Sequence, residues 1–202
     1  MGKELKITQK PLASWAFQAD RTNAWAYWDK AFTPEECKKI IDYAEQFEKK
    51  DATSSYDRKV DTTLRESKIV WITPDSEINW AYQRLTDIIT RLNEDYFKFD
   101  LFGLIESVQF TEYNAPSGHC AKHVDNIFGG PIRKLSFSVQ LTNPKEYEGG
   151  NIELHLSNEP TIMKKEQGTL ITFLPSILHE VKPVTKGRRY SLVGWITGKP
   201  FK

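Results

Sequence analysis

The sequence predicts an α+β domain in which helices come first and the core is a β-sandwich or barrel. Before residue 100, apolar residues recur with a helical period in two segments, and after it the period changes to two. Turn-forming stretches rich in glycine, proline and asparagine separate the later apolar runs. Helices followed by many short strands are typical of α+β folds.

Two helices are predicted before residue 100. The first covers residues 34–49, where Thr33 can cap the helix and Pro34 suits its first position. Glu36 completes a capping box with that threonine. The second helix covers residues 77–96, with its apolar side chains on one face.

Strands are predicted from the alternation of apolar and polar residues. The aromatic segment that ends at Trp25–Trp28 can form an edge strand that covers the core. Another strand is predicted at Lys68–Ile72, between the helices. Five more follow residue 100, at Ile105–Tyr113, Lys134–Leu141, Asn151–Leu156, Gly168–Phe173 and Arg189–Ile196.

Composition argues against several classes of protein. The 202 residues hold 28 basic and 27 acidic side chains, a net charge of +1, whereas nucleic-acid binding needs a basic excess. No apolar run approaches the ~20 residues of a membrane span, and the N-terminus lacks the apolar core of a signal peptide. Two cysteines are too few for a disulfide framework. We therefore expect a soluble cytoplasmic protein without nucleic-acid or membrane partners.

Residues 123–125 read His-Val-Asp, which suggests part of a metal site. On a strand, positions i and i+2 point to the same face, so His123 and Asp125 can converge on one ion. His179 follows 54 residues after Asp125. Two histidines and one carboxylate on one face of a metal are the ligand set of non-haem Fe(II) oxygenases. A His-x-Asp tripeptide is common, so the pattern alone leaves a structural role open.

Arg189 lies ten residues beyond the second of these histidines and strengthens the metal interpretation. A buried guanidinium needs an anionic partner, and its planar fork matches a carboxylate. If Arg189 points inward, strand alternation makes Ser191, Val193 and Trp195 point inward as well. The alternative is an ordinary surface arginine beside Arg188.

No part in the metal site is expected for the other two histidines or for Cys120. His119, in the loop before the metal strand, can replace a ligand, but that role is disfavoured. His155 shares an alternating face with Glu153 and is expected to be solvated. Cys120 is expected to be a small packed thiol near the metal strand rather than a catalytic one.

Taken together, these motifs resemble the 2-oxoglutarate/Fe(II)-dependent dioxygenases of the prolyl 4-hydroxylase group, particularly its small bacterial and phage members. The resemblance spans roughly residues 28–197 and rests on several motifs at consistent spacing. The Arg-Glu-Ser of residues 65–67 also resembles the family. The other matching segments are Tyr113–Asn126 (Tyr-x9-His-Val-Asp-Asn), Arg133–Leu141, Tyr147–Asn151, Gly168–Pro175 and His179–Trp195.

The resemblance implies a double-stranded β-helix, or jelly roll, with two facing sheets and the metal near one open end. The N-terminal helices would pack on the outside of one sheet. The single domain would then have an N-terminal arm and edge segment at 1–27 and supporting helices and a loop at 28–99. The metal-binding β-helix core would cover 100–198. The charged loop at 50–66 is expected to be an exposed, solvated loop, with closure over substrate, which such loops can perform in this family, as the alternative.

Carried over by position, the family's ligands are His123, Asp125 and His179, which are expected to hold iron and to be the catalytic residues. Arg189 is expected to bind the distal carboxylate of 2-oxoglutarate. The cofactors implied are Fe(II), 2-oxoglutarate as cosubstrate and ascorbate as reductant.

Three further residues are expected around the cosubstrate. Tyr113 matches a tyrosine that reaches the cosubstrate pocket, and Trp195 matches a tryptophan near the metal. Gln140 occupies the position where oxygen-sensing relatives place a tyrosine on the same carboxylate. The chain departs from the family there, although an amide can still donate a hydrogen bond.

The resemblance predicts an enzyme, a 2-oxoglutarate- and O2-dependent Fe(II) hydroxylase that acts on a peptidyl proline in a partner protein. The alternative substrate is a small molecule or free amino acid in a closed pocket. An alternative of another class is a non-catalytic jelly-roll binding module, since fold does not decide function. A cupin-type enzyme with another metal is a further alternative, which would need more histidines on the metal strand.

Overall fold

A computed structural model of the chain describes residues 22–53, 60–126 and 130–200, so the first part of the predicted arm and the centre of the 50–66 loop lie outside the described residues. The described residues form two α-helices and fourteen strands. In chain order these are β1 Trp25–Trp28, α1 Pro34–Ala44, β2 Lys50–Asp51, β3 Arg65–Glu66, β4 Lys68–Ile72, α2 Asn79–Leu92, β5 Leu101–Gly103, β6 Val108–Asn114, β7 His119–His123, β8 Arg133–Gln140, β9 Tyr147–Gly149, β10 Ile152–Leu154, β11 Thr161–Ile162, β12 Leu170–Phe173, β13 His179–Val181 and β14 Val184–Gly198.

The strands form two antiparallel sheets. The nine-stranded sheet has the order β1-β12-β8-β14-β6-β4-β2, and β5 and β9 also pair with β14. The five-stranded sheet has the order β11-β10-β13-β7-β3. Side chains of the two sheets meet in a shared core, as Leu154 and Ile171 do. The predicted α+β jelly roll is confirmed, and β1 is the predicted edge strand.

Both helices cover one face of the nine-stranded sheet, as expected. Ile40 of α1 and Leu85 of α2 are fully buried in the same cluster as Phe110 and Phe137 of the sheet. Burying each such side chain contributes about 1.5–3 kcal/mol. The opposite face of this sheet is left free to build a site against the five-stranded sheet. No helix in the described part of the chain has the length and apolar character needed to span a membrane.

Both helices are shorter than predicted. The first ends at Ala44, after which the chain turns toward β2. The second ends at Leu92 and continues as a π-helical turn over residues 93–97. Asn93 stops the α-helix, because its side chain both donates to the Phe99 carbonyl and accepts from the Phe99 amide, each at 2.9 Å.

The capping box predicted at the first helix is present. The Thr33 Oγ1 accepts from the Glu36 amide at 3.2 Å, and the Glu36 carboxylate accepts from the Thr33 amide at 2.9 Å. Thr33→Ala is therefore expected to lower the free energy of unfolding by about 1 kcal/mol in urea titrations. Thr90→Ala, at an exposed position of α2, should stay within about 0.5 kcal/mol. Equal effects of the two changes would contradict this account of the helix start.

Candidate functional site

Two histidines far apart in the sequence face each other across neighbouring strands. In the antiparallel pairing of β7 with β13, His123 lies directly opposite His179. Asp125 lies just beyond the end of β7, where its amide donates to the Pro175 carbonyl at 2.9 Å. The three ligand atoms lie within 4.8 Å of one another. The metal cluster, as we call these three residues, is thus brought together, although a loop and not the strand alternation that we expected places Asp125.

Backbone carbonyls orient both imidazole rings of the metal cluster. The Nδ1 of His123 lies 2.8 Å from the Ala121 carbonyl, and the Nδ1 of His179 lies 2.9 Å from the Ile177 carbonyl. Because a carbonyl only accepts, each Nδ1 carries a proton, and each Nε2 is left as the nitrogen that can bind a metal. Both Nε2 atoms lie 3.6 Å from an oxygen of the same carboxylate.

The Asp125 carboxylate is held from the opposite sheet. Its Oδ2 accepts from the Ser136 hydroxyl at 2.6 Å, and its backbone carbonyl accepts from Arg133 at 3.0 Å. Burial raises the pKa of Asp125, but the nearby His179 and His123 and the hydrogen bonds from Ser136 and Trp195 together outweigh burial, so that the pKa of this carboxyl is lowered. The carboxylate is therefore ionised, which is the form that binds a metal.

The two histidines differ in electrostatic environment. Burial lowers the pKa of His179, which favours the neutral ring. Burial opposes protonation of His123 too, but contacts with the Cys120 thiol and Asp125 raise its pKa to about 9. A metal ion bound at His123 would displace a proton, so its affinity should fall as pH falls. Two imidazoles and one carboxylate fit Fe(II) and leave the other coordination positions open.

A second group of predicted residues lies together in the space between the sheets. Arg189 is only 1% exposed and stands opposite Tyr113 in the pairing of β14 with β6. Its guanidinium lies 5.3 Å from the centre of the Tyr113 ring and donates to the Gln140 Oε1 at 2.9 Å. The predicted inward orientation of Arg189 agrees with this geometry.

The charge of Arg189 has only neutral partners among the described residues. Its guanidinium contacts Gln140 and Ser191, and no described carboxylate forms an ion pair with it. The Arg189 Nε and the Gln140 Nε2 are buried donors without an acceptor. Lys165 is a second basic residue near this arginine, and its burial and the Arg189 charge both lower its pKa. A buried charge and buried donors without acceptors cost free energy. A bound carboxylate would pair with both, so the surroundings of Arg189 fit such a ligand.

Gly150 makes room for the arginine. Its φ of +62° is one that glycine adopts readily, and a Cβ at this position would lie 2.9 Å from the Arg189 Cδ. The Gly-Gly segment that carries part of the family resemblance therefore has a physical role in packing the guanidinium.

Trp195 lies beside the metal cluster, as expected. It pairs across the sheet with Ser136, whose hydroxyl holds Asp125. The guanidinium of Arg133 stacks over the Trp195 ring at 3.8 Å and is held by an ion pair with Glu106. Sequence reasoning missed Ser136 and Arg133 as supports of the aspartate, although both fall within a segment that matched the family.

The comparisons with known proteins agree with this geometry. Residues 108–197 match the family model of the 2OG-Fe(II) oxygenase superfamily. A PKHD-type hydroxylase of Prochlorococcus marinus (strain MIT 9515) is 33% identical over 123 residues, which are 60% of this chain and 55% of the relative. A PKHD-type hydroxylase of Rippkaea orientalis is 36% identical over 96 residues, 46% of this chain and 43% of the relative. The chain thus spans about half the length of these curated relatives.

Solved structures share the fold. A prolyl-4-hydroxylase of Pseudomonas putida superposes with a TM-score of 0.71 at 19% identity, covering 89% of this chain and 95% of that one. A prolyl hydroxylase of Trichoplax adhaerens, in complex with a hypoxia inducible factor oxygen degradation domain peptide fragment, superposes with a TM-score of 0.74 at 18% identity. The match covers 88% of this chain and 84% of that one. The expected double-stranded β-helix is confirmed. Residues 108–197, which hold the metal cluster and Arg189, are the part of the chain that matches the 2OG-Fe(II) oxygenase superfamily.

Proposed function

We propose that this protein is a 2-oxoglutarate- and O2-dependent Fe(II) hydroxylase that acts on a peptidyl proline. The observation that carries the proposal is the pairing of an imidazole–imidazole–carboxylate cluster with a buried guanidinium that has only neutral partners. Either feature alone has ordinary structural explanations. Their joint occurrence between the same two sheets is what a metal and a dicarboxylate cosubstrate require.

In this proposal His123, Asp125 and His179 hold Fe(II), and their own supports set the geometry. The backbone carbonyls keep the lone pairs of both rings directed at the ion, and the Ser136 hydroxyl orients the carboxylate. Such supports affect metal affinity strongly in other sites. The rings and the carboxylate thus need little rearrangement on binding.

Arg189 binds the distal carboxylate of 2-oxoglutarate with the fork of its guanidinium. Gln140 assists, because its Oε1 accepts from Arg189 and its Nε2 is thereby left to donate to the same anion. Tyr113 forms a wall of this pocket against the guanidinium. Burial excludes water, so the charge pairing is strong.

When bound, Fe(II) and 2-oxoglutarate supply the oxidising chemistry, in which O2 and 2-oxoglutarate give succinate, CO2 and a hydroxylated C–H bond. The residues of the chain bind, orient and shield these groups. Ascorbate is proposed as the reductant that keeps the iron in its ferrous state. Both cysteines, Cys37 and Cys120, are unpaired thiols, which supports a reducing, cytoplasmic location.

An open site supports a peptide substrate over a small molecule in a closed pocket. The side chain of His123 is 37% exposed, so the metal cluster borders solvent. Trp71 is 51% exposed, its ring lies at a centroid distance of 6.2 Å from that of Trp195, and it offers a flat apolar surface at the mouth. Tryptophan is enriched at protein interfaces, where its large ring supplies apolar contact area.

The substrate class is tested by mass spectrometry. A panel of proline-containing peptides, each matched by the same peptide with alanine for proline, is incubated with protein, Fe(II), 2-oxoglutarate and ascorbate in air. Free amino acids form a second panel. We expect a proline peptide to gain one oxygen atom and its alanine partner to remain unchanged. Oxidation of a free amino acid alone would favour the small-molecule alternative. The absence of both turnover and 2-oxoglutarate binding by the metal-loaded protein would favour a binding module.

A further inference from the structure

We propose that the outer face of the five-stranded sheet carries a second metal site, formed by Glu153, His155 and Glu180, which binds Zn2+. The three side chains offer ligand atoms within 4.8 Å of one another. Glu180 follows His179 on β13, and successive side chains of a strand point to opposite faces. This outer cluster, as we call it, is therefore separate from the metal cluster inside the fold.

The strand pairing forces two like charges together. In the register of β10 with β13, Glu153 stands directly opposite Glu180. Like charges in this position destabilise an antiparallel pair. Among the described residues Glu153 forms no ion pair that balances it. A cation between the two carboxylates would convert this repulsion into attraction.

The backbone places the imidazole against the same two carboxylates. The amide of His155 donates to the Leu178 carbonyl at 2.8 Å, directly after β10 ends. Its Nε2 lies 2.9 Å from the Glu180 Oε1. The His155 side chain is 14% exposed and that of Glu180 12%, so the histidine is half-buried in a polar cluster and not solvated as the alternation suggested.

The donor set suits zinc. One imidazole and two carboxylates are ligands that Zn2+ accepts, with water completing the tetrahedron. On binding, the ion replaces the proton of the His155 Nε2, which is released to solvent. Lys182 lies 3.6 Å from the other oxygen of Glu180, and its side chain is 44% exposed, so it can move aside. The bound ion would join β10 to β13, the strand that carries His179.

Zinc stoichiometry tests the outer cluster. Metal-free protein is titrated with Zn2+ by calorimetry, and bound zinc is counted after gel filtration. We expect two equivalents for the wild type, one for Asp125→Ala, one for His155→Ala and none for the double variant. The Asp125→Ala background makes the result independent of the proposed hydroxylase activity. No zinc bound by Asp125→Ala, or unchanged binding after His155→Ala, would overturn the proposal.

Glu153→Gln separates a zinc site from a simple His155–Glu180 ion pair. Without zinc this variant is expected to melt at a higher temperature than the wild type, because the repulsion with Glu180 is removed. With zinc in the Asp125→Ala background, the melting temperature should rise only when Glu153 is intact. Glu148→Gln, an exposed glutamate paired with Lys186, is the matched control and should keep the zinc response. A zinc response kept by Glu153→Gln would contradict its role as a ligand.

Discussion

Replacing His179 with alanine is expected to reduce 2-oxoglutarate turnover to background while the fold is kept. His179 is 6% exposed and supplies one of three ligand atoms, so its loss leaves the proposed iron with two. The remaining His123 and Asp125 would hold the metal weakly and in the wrong geometry. Turnover is measured as succinate, bound iron by elemental analysis and folding by circular dichroism.

His119→Ala is the matched control for this change. His119 is also a histidine of β7, but its ring nitrogens face the carbonyls of Ser117 and Thr63 and not the metal cluster. The His119→Ala variant should still bind iron and should keep most of the 2-oxoglutarate turnover. If His179→Ala retained full activity with stoichiometric iron, the ligand assignment would be wrong.

Arg189→Ala is expected to raise the 2-oxoglutarate concentration needed for half-maximal turnover by roughly 30-fold to several thousand-fold. Truncating one partner of a buried charge pair costs about 2–5 kcal/mol, and 1.4 kcal/mol corresponds to a factor of ten. The arginine is almost fully buried, so solvent screening reduces this little. Arg189→Lys should recover only part of the affinity, because an ammonium lacks the planar fork.

Arg188→Ala is the control, since the two arginines are neighbours with opposite environments. The Arg188 side chain is 53% exposed and pairs with Glu112 and Asn114 on the other face of the strand. Its removal should leave the 2-oxoglutarate requirement close to that of the wild type. Similar shifts for both variants would refute the assignment of Arg189 to the cosubstrate.

The residue types at the site could be predicted because each carries its chemistry locally. Histidine and aspartate two positions apart suggested a metal site, and of the two alternatives for Arg189 the inward orientation is the one observed. The fold class could be predicted because periodicity depends only on which faces are buried.

Other features depend on contacts that no local pattern encodes. Strand alternation predicted that Asp125 lies on β7. In the structure the strand ends at His123, and the hydrogen bond from the Asp125 amide to the Pro175 carbonyl positions this residue. Ser136 is an unremarkable residue of an alternating strand until the sheets face each other. The Asn93 side chain ends α2 by forming hydrogen bonds with the backbone of Phe99. The apolar stripe that predicted a longer helix contains no sign of this contact.

The most direct test of the central claim is oxygen-dependent conversion of 2-oxoglutarate to succinate by the Fe(II)-loaded protein. Succinate is measured in air and under anaerobic conditions for the wild type, His179→Ala and Arg189→Ala, at a fixed low concentration of 2-oxoglutarate. We expect succinate from the wild type in air alone and background values from both variants. Succinate formation that is independent of oxygen, or equal in the wild type and both variants, would contradict it.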